Sequence, residues 1–143
     1  MQLIIMTSDK PYVSGDGKRL IEQYLPKDIT ISLSSTDKPL LSSGYVSVSH
    51  TENRAVIAFS SVPVGIDMER NRGLSSRLIK RLGLKEKVIE HWVLREAAIK
   101  LYDDPSYLFK DSVGTYSKIL YEEEYVIGIL STQPIEIEEI IYA

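Results

Sequence analysis

Two acidic residues set two apart in an otherwise apolar strand restrict this chain more than any other feature. The stretch Val64-Gly65-Ile66-Asp67-Met68-Glu69 follows Pro63 and precedes the loop Arg70-Asn71-Arg72-Gly73. Side chains alternate across a strand, so Asp67 and Glu69 share one face while Ile66 and Met68 share the other. Like charges on neighbouring same-face positions repel and destabilise the strand. Two readings account for such a pair. One is a solvated sheet face carrying two independent acids. The other is a hard-cation site, in which two oxygens on a rigid strand hold a Mg²⁺ that keeps waters and substrate phosphates. Gly65 inside the strand marks close approach of a ligand or of another stretch of backbone.

A chain of 143 residues fits one domain with a real core. Its net charge of −3 leaves no basic footprint for bulk nucleic-acid binding. The absence of cysteine excludes a disulfide framework, a thiolate zinc site and a cysteine nucleophile, and leaves the redox compartment open. The apolar run Leu3-Ile4-Ile5-Met6 is too short for a signal segment or a membrane span, and a cytoplasmic location is the expectation.

Residues 2–6 read as a buried strand, 18–25 as a short helix stopped by Pro26, and 29–33 as another short strand. Residues 45–49, 54–60 and 64–69 alternate as strands and predict a three-stranded antiparallel meander, with His50 at a turn. Residues 75–82 suit two helical turns ended by Gly83. Residues 84–102 form the longest helical pattern, stopped by Asp103-Asp104-Pro105. Residues 116–121 and 125–130 predict a hairpin around Glu122-Glu123-Glu124, read as a solvated tip, and 135–142 a last strand. No internal repeat stands out.

Within the long helix, Glu96 is set among Trp92, Val93, Ile99 and Lys100 at three- and four-residue spacings. As an ordinary pair one turn apart, Glu96 and Lys100 would add about 0.2–0.5 kcal/mol to the helix and nothing more. Taken with Asp67 and Glu69, they would bring three carboxylates and one ammonium together. Three oxygens suit one Mg²⁺, and a lysine beside them holds phosphate as a point charge. With His50 at a loop, such a constellation suits a pyrophosphate substrate. His91, among Lys87, Glu90 and Arg95, belongs to the surface.

These residues carry a family likeness. Val64-Gly65-Ile66-Asp67-Met68-Glu69 and Trp92-Val93-Leu94-Arg95-Glu96-Ala97-Ala98-Ile99-Lys100 resemble the two signature motifs of the 4′-phosphopantetheinyl transferase superfamily. The first pattern is Gly, aliphatic, Asp, any residue, Glu. The second is an aromatic residue, two further residues, Lys-Glu, a small residue, two more residues and Lys. Val48-Ser49-His50-Thr51 resembles the Ser-His-Ser segment of the larger, two-lobed members, and Lys38-Pro39 the Gly-Lys-Pro that precedes it there. The likeness spans residues 38–100.

The resemblance implies an α+β fold, with antiparallel sheet packed on one long helix and a truncated first lobe. A reduced N-terminal lobe would span residues 1–37, and the transferase core 38–143. It is similar to a shortened two-lobed, surfactin-synthetase-activating type of transferase. The implied activity is Mg²⁺-dependent transfer of 4′-phosphopantetheine from coenzyme A to a serine of an acyl or peptidyl carrier protein. A non-catalytic coenzyme A or carrier-protein binding module is the alternative, and a transferase or hydrolase acting on another pyrophosphate a third reading. Asp67, Glu69 and Glu96 would bind the metal. Glu96, Lys100 and His50 would form the catalytic set, with Glu96 as base for the carrier serine. Lys38, Ser49, His50 and Lys100 would contact the coenzyme phosphates. Arg95 stands where the family has lysine, and Leu101-Tyr102-Asp103-Asp104-Pro105 replaces a Gly-Lys-Gly-like loop. A monomer is expected over a homo-oligomer.

Overall fold

In the computed structural model, which describes residues 1–112 and 115–143, the expected hairpin forms between β4 (Tyr45–Thr51) and β5 (Arg54–Ser60). Its register pairs Ser47 with Ala58 and Ser49 with Val56, and Glu52 takes a left-handed φ of 52° at the turn. The strand after it breaks the expected meander. β6 (Val64–Arg70) leaves β5 and pairs antiparallel with β8 (Tyr125–Ser131), Asp67 facing Gly128. β8 also pairs with β7 (Tyr116–Glu122), giving a three-stranded sheet in the order β6-β8-β7.

The other main sheet has four strands in the order β4-β5-β1-β9, with β1 at Gln2–Thr7 and β9 at Glu139–Tyr142. β1 runs antiparallel to β5 and parallel to β9. Because β1 lies between β5 and β9, residues 1–37 supply a central strand to the sheet that residues 38–143 complete. The change of sheet falls at residues 61–63, between β5 and β6. A small hairpin of β2 (Ile31–Leu33) and β3 (Pro39–Leu41) stands beside this sheet.

Among the described residues, three helices complete an α+β fold: α1 (Asp16–Glu22), α2 (Ser76–Leu82) and α3 (Val88–Tyr102). Helix α3 begins four residues later than the apolar pattern implies. Gly83 closes α2 in the left-handed region, Leu84 returns its N–H to Ile79 O, and Lys87 holds a φ of 46° just before α3. A 3-10 turn at Pro105–Phe109, with no clear sequence signal, follows α3.

The two sheets carry the same connectivity. β1, α1, β4 and β5 run strand-helix-strand-strand with spatial order β4-β5-β1, and β6, α3, β7 and β8 repeat this as β7-β8-β6. The first unit thus draws its strands from both sides of position 38, because β4 and β5 belong to it rather than to the second unit.

Period-two alternation assigns each strand face to a layer. Leu3, Ile5, Val56 and Ala58 meet Ile66, Met68, Ile127 and Ile129 in the core between the sheets. Ile4, Met6 and Ile57 face Leu20 and Ile21 of α1 on the outside of the first sheet. Val93, Ala97 and Leu101 of α3 cover Val126 and Leu130 on the outside of the second. Among the described residues, no helix is long and apolar enough to cross a membrane.

The acidic hairpin tip is paired rather than merely solvated. Arg54 of β5 pairs with Glu123, and Arg70 of β6 with Glu124. Arg70 Nε also donates to Glu52 Oε1 at 3.0 Å, and the Tyr125 ring lies 5.2 Å from both guanidiniums. The tip thus laces the ends of both sheets. Exposed pairs of this kind contribute about 0.2–1 kcal/mol each.

Gly65 and Gly128 let α3 lie directly on the second sheet. A Cβ at Gly65 would fall 2.1 Å from Ala97 O and 2.9 Å from Leu101 N, and one at Gly128 2.8 Å from Val93 Cγ2. The close approach that Gly65 signals is to the backbone of α3. Overpacking against backbone cannot relax by a rotamer change. Gly65→Ala should therefore cost at least about 2 kcal/mol in a urea titration, whereas Gly73→Ala should stay within about 0.5 kcal/mol. A Cβ at Gly73 meets nothing within 4 Å, so equal effects of the two changes would contradict this packing.

Candidate functional site

With Ile66 and Met68 turned into the core, Gly65, Asp67 and Glu69 face α3. The approach permitted by Gly65 lowers Glu96 and Lys100 of α3 towards Asp67. The unpaired edge of β6 meets a face of β4: Ile66 N–H donates to Ser47 Oγ at 3.0 Å, and Met68 N–H to Ser49 Oγ at 3.1 Å. Serine hydroxyls thus take the place of a neighbouring strand.

Lys100 closes the same seam. Its Nζ donates to Val48 O of β4 at 3.2 Å, to Ile66 O of β6 at 3.0 Å and to Asp67 Oδ1 at 3.3 Å. Among the described residues its ion pair is with Asp67, not with Glu96 one turn away. Asp67 Oδ1 also accepts from Ser49 Oγ at 3.2 Å. Asp67 is only 5% exposed, and its other oxygen, Oδ2, is buried without a hydrogen-bond partner among the described residues.

Burial raises all three carboxyls, and repulsion between acids adds to it at Glu69 and Glu96. Burial lifts Asp67, with Lys100 and Ser49 opposing it. Glu69 is raised by burial and then by Asp67, with the Trp92 side chain opposing. Glu96 is pushed up to about 7 by burial first, then by Asp67 and Glu69, against the attraction of Lys100. A buried carboxylate oxygen with no partner, coupled to two further acids, is a donor set that a divalent cation would satisfy. Among the described residues, no three acid or histidine side chains form a ready-made metal cage. The arrangement is an open one, of the kind that leaves positions for waters and a ligand's own oxygens.

A cleft of about 760 Å³ opens over this seam, between the two units. Lys38, Ser49, His50, Asp67, Glu96 and Lys100 all line it, drawn from four separate elements or loops. Glu69 does not; it is half-buried at the far end of β6, beside Trp92. The His50 ring lies 6.0 Å from that of Tyr12. Lys38 Nζ donates to Leu101 O at 3.2 Å near the end of α3, and Thr36 Oγ1 donates to Asp103 Oδ2 at 2.6 Å beside it. The turn before β3 therefore bridges the cleft from one unit to the other.

Ser14, Lys18, Thr36 and Asp103 also line the cleft. None of them carries a signal in sequence, because polar residues of loops and of exposed helix faces look alike until the chain is folded. Arg95 points elsewhere. Buried at 7% exposure, it donates to Leu82 O at 2.7 Å, Leu108 O at 3.3 Å and Asp111 Oδ1 at 3.1 Å. It pins α2 and the 3-10 turn to α3. His91 is half-buried rather than free on the surface, with Nδ1 3.5 Å from Asp111 Oδ1.

Compared with known proteins, the chain matches no family model and no curated protein.

The carboxyl shifts fix a sign for stability against pH. A carboxyl raised in the folded protein holds its proton more tightly there than in the unfolded chain. Its contribution is complete below the ordinary value of 4.5 and is lost as pH rises through about 7. The metal-free protein should melt at a lower temperature at about pH 8 than at about pH 5, and Glu96→Gln should reduce that fall by roughly 3 °C or more. Thermal melts across this range check it. A melting temperature that rises with pH, or a Glu96→Gln slope equal to wild type, would contradict the cluster.

Proposed function

We propose that this protein transfers 4′-phosphopantetheine from coenzyme A to a serine of an acyl or peptidyl carrier protein in a Mg²⁺-dependent reaction. One observation carries the reading. Six of the residues nominated by the motif resemblance, separated by as many as 62 positions in sequence, line a single cleft over a partnerless carboxylate oxygen.

The charges are divided in a way that suits a pyrophosphate. Lys18 and Lys38 approach from the first unit, while Asp67 and Glu96 lie on the second. A ligand with several anionic oxygens can face the lysines while offering oxygens beside the acids. Asp67, Glu96 and, from the side, Glu69 would hold Mg²⁺, which when bound neutralises the pyrophosphate charge. Glu96 lines the cleft beside Asp67 and is the carboxyl that would serve as general base. It would take the proton from the carrier serine as that oxygen bonds to the phosphorus bearing pantetheine. The P–O bond to the second phosphate then breaks, and 3′,5′-ADP leaves. Lys38 and His50 would steady the anionic leaving group. Positioning and charge neutralisation supply most of the rate in such transfers.

A second reading has its own support. An ammonium has three donors, and Lys100 uses all three on Val48 O, Ile66 O and Asp67. Lys38 commits one of its donors to Leu101 O. A motif lysine saturated by the protein itself favours a module that binds coenzyme A or a carrier without turnover.

Incubation with coenzyme A, Mg²⁺ and an apo carrier protein, followed by intact-mass measurement, separates the two. Transfer adds one phosphopantetheine to the carrier, and Asp67→Ala or Glu96→Gln should slow it by about a hundredfold or more. Coenzyme A binding without any mass gain, over a panel of acyl and peptidyl carriers, would install the second reading. Lys100→Ala tests the seam separately. It strips a donor from two carbonyls and a carboxylate, so it should cost about 1–3 kcal/mol of stability in urea, not the few tenths of an exposed helix pair.

A further inference from the structure

Ser47 and Ser49 stand two apart on β4 and so present their hydroxyls to the same edge of β6. Both are 5% exposed, and each accepts one β6 backbone N–H, from Ile66 and Met68 respectively. To this point they are equivalent. Among the described residues only Ser49 makes a second side-chain hydrogen bond, donating to Asp67 Oδ1 at 3.2 Å.

A hydroxyl has one proton to give. Ser49 spends it on Asp67, and its oxygen already accepts from Met68 N–H. What remains is a lone pair, which an ionised phosphate oxygen cannot use. Ser49 therefore cannot hold Asp67 and a coenzyme phosphate together. On the carboxylate, Lys100 Nζ and Ser49 Oγ both engage Oδ1, fixing the plane of the group and leaving Oδ2 buried and unpartnered beneath the cleft.

We infer that Ser49 is a positioning residue for a divalent cation: its hydroxyl turns Asp67 so that Oδ2 is kept free as a cation ligand, and it does not bind the coenzyme. This rests on the cation site of the proposed function but not on phosphopantetheine transfer, so the test uses neither coenzyme nor carrier. Partners that orient a ligating carboxylate in this way are typically worth 10–100-fold in metal affinity.

Ser47→Ala is the matched control, since it removes the same kind of seam hydrogen bond without touching Asp67. The readouts are Mn²⁺ binding to the protein alone, by titration calorimetry, and thermal melting without metal. Ser47→Ala and Ser49→Ala should lose similar stability, while only Ser49→Ala weakens Mn²⁺ binding, by about tenfold or more. Ser49→Thr keeps the hydroxyl and should bind as wild type does. Ser49→Val has the same shape without it and should not, a pair that decides the matter if Ser49→Ala fails to fold. Mn²⁺ affinity for Ser49→Ala within about twofold of wild type, or an equal loss in Ser47→Ala, overturns the positioning role alone. Wild-type protein that takes up no Mn²⁺ overturns the cation site and the positioning role together, whatever the carrier assay gives.

Discussion

The edge of β6 is the interaction on which the two halves depend. A strand paired on one side only leaves backbone donors and acceptors on the other, and burying them unmade costs roughly 1–3 kcal/mol apiece. Here that edge meets a sheet face instead of another strand, and the groups that complete it come from side chains: Ser47 and Ser49 for the N–H groups, Lys100 for a carbonyl. A polar seam of this kind fixes the relation between the units more sharply than the apolar core alone, because oil-like contacts tolerate sliding and hydrogen bonds do not.

Chemistry and packing therefore share the same residues. Gly65 brings α3 down onto β6, that descent delivers Lys100 to the seam, and the seam buries Asp67 beneath it. The first unit contributes the roof. Thr36 and Lys38 reach across to the end of α3, so the cleft is walled by both halves and exists only while they stay docked.

Period-two and period-3.6 patterns made most elements legible, because burial on one face leaves a trace in every second or every third to fourth residue. Pairing left no such trace. The short turn at 61–63 suits a hairpin, and nothing in β6 says that its neighbour lies some 60 residues later in β8. The duplicated connectivity stayed hidden for a related reason: Leu3-Ile4-Ile5-Met6 and Gly65-Ile66-Asp67-Met68 occupy corresponding strands with little residue likeness. In the site, the residue types were legible but their duties were not. Donation from Lys100 to Val48 O or from Arg95 to Leu82 O is aimed at backbone carbonyls, which every residue possesses, and so has no signature in sequence. The acidic tip is solvated as its composition implies, but its pairing was hidden, since Arg54 and Arg70 reach Glu123 and Glu124 from other strands.

The two cations of α3 that bind backbone carbonyls, Arg95 and Lys100, are not interchangeable, and their geometry says why. They lie five positions apart, so they project from different sides of the helix. Arg95 must reach three acceptors spread over separate segments, Leu82 O after one turn of chain, Leu108 O and Asp111 after another. A planar fork with donors along its edges suits that spread. Lys100 meets three acceptors gathered at one point, and a compact ammonium with three rotatable donors fits them, where a guanidinium would be too broad. Arg95 is thus fixed by packing on the side of the helix away from the cleft. The lysine at position 100 is fixed by the seam. Helix α3 holds the second unit together on one side and joins it to the first on the other, with Asp67 and Glu96 meeting at that junction.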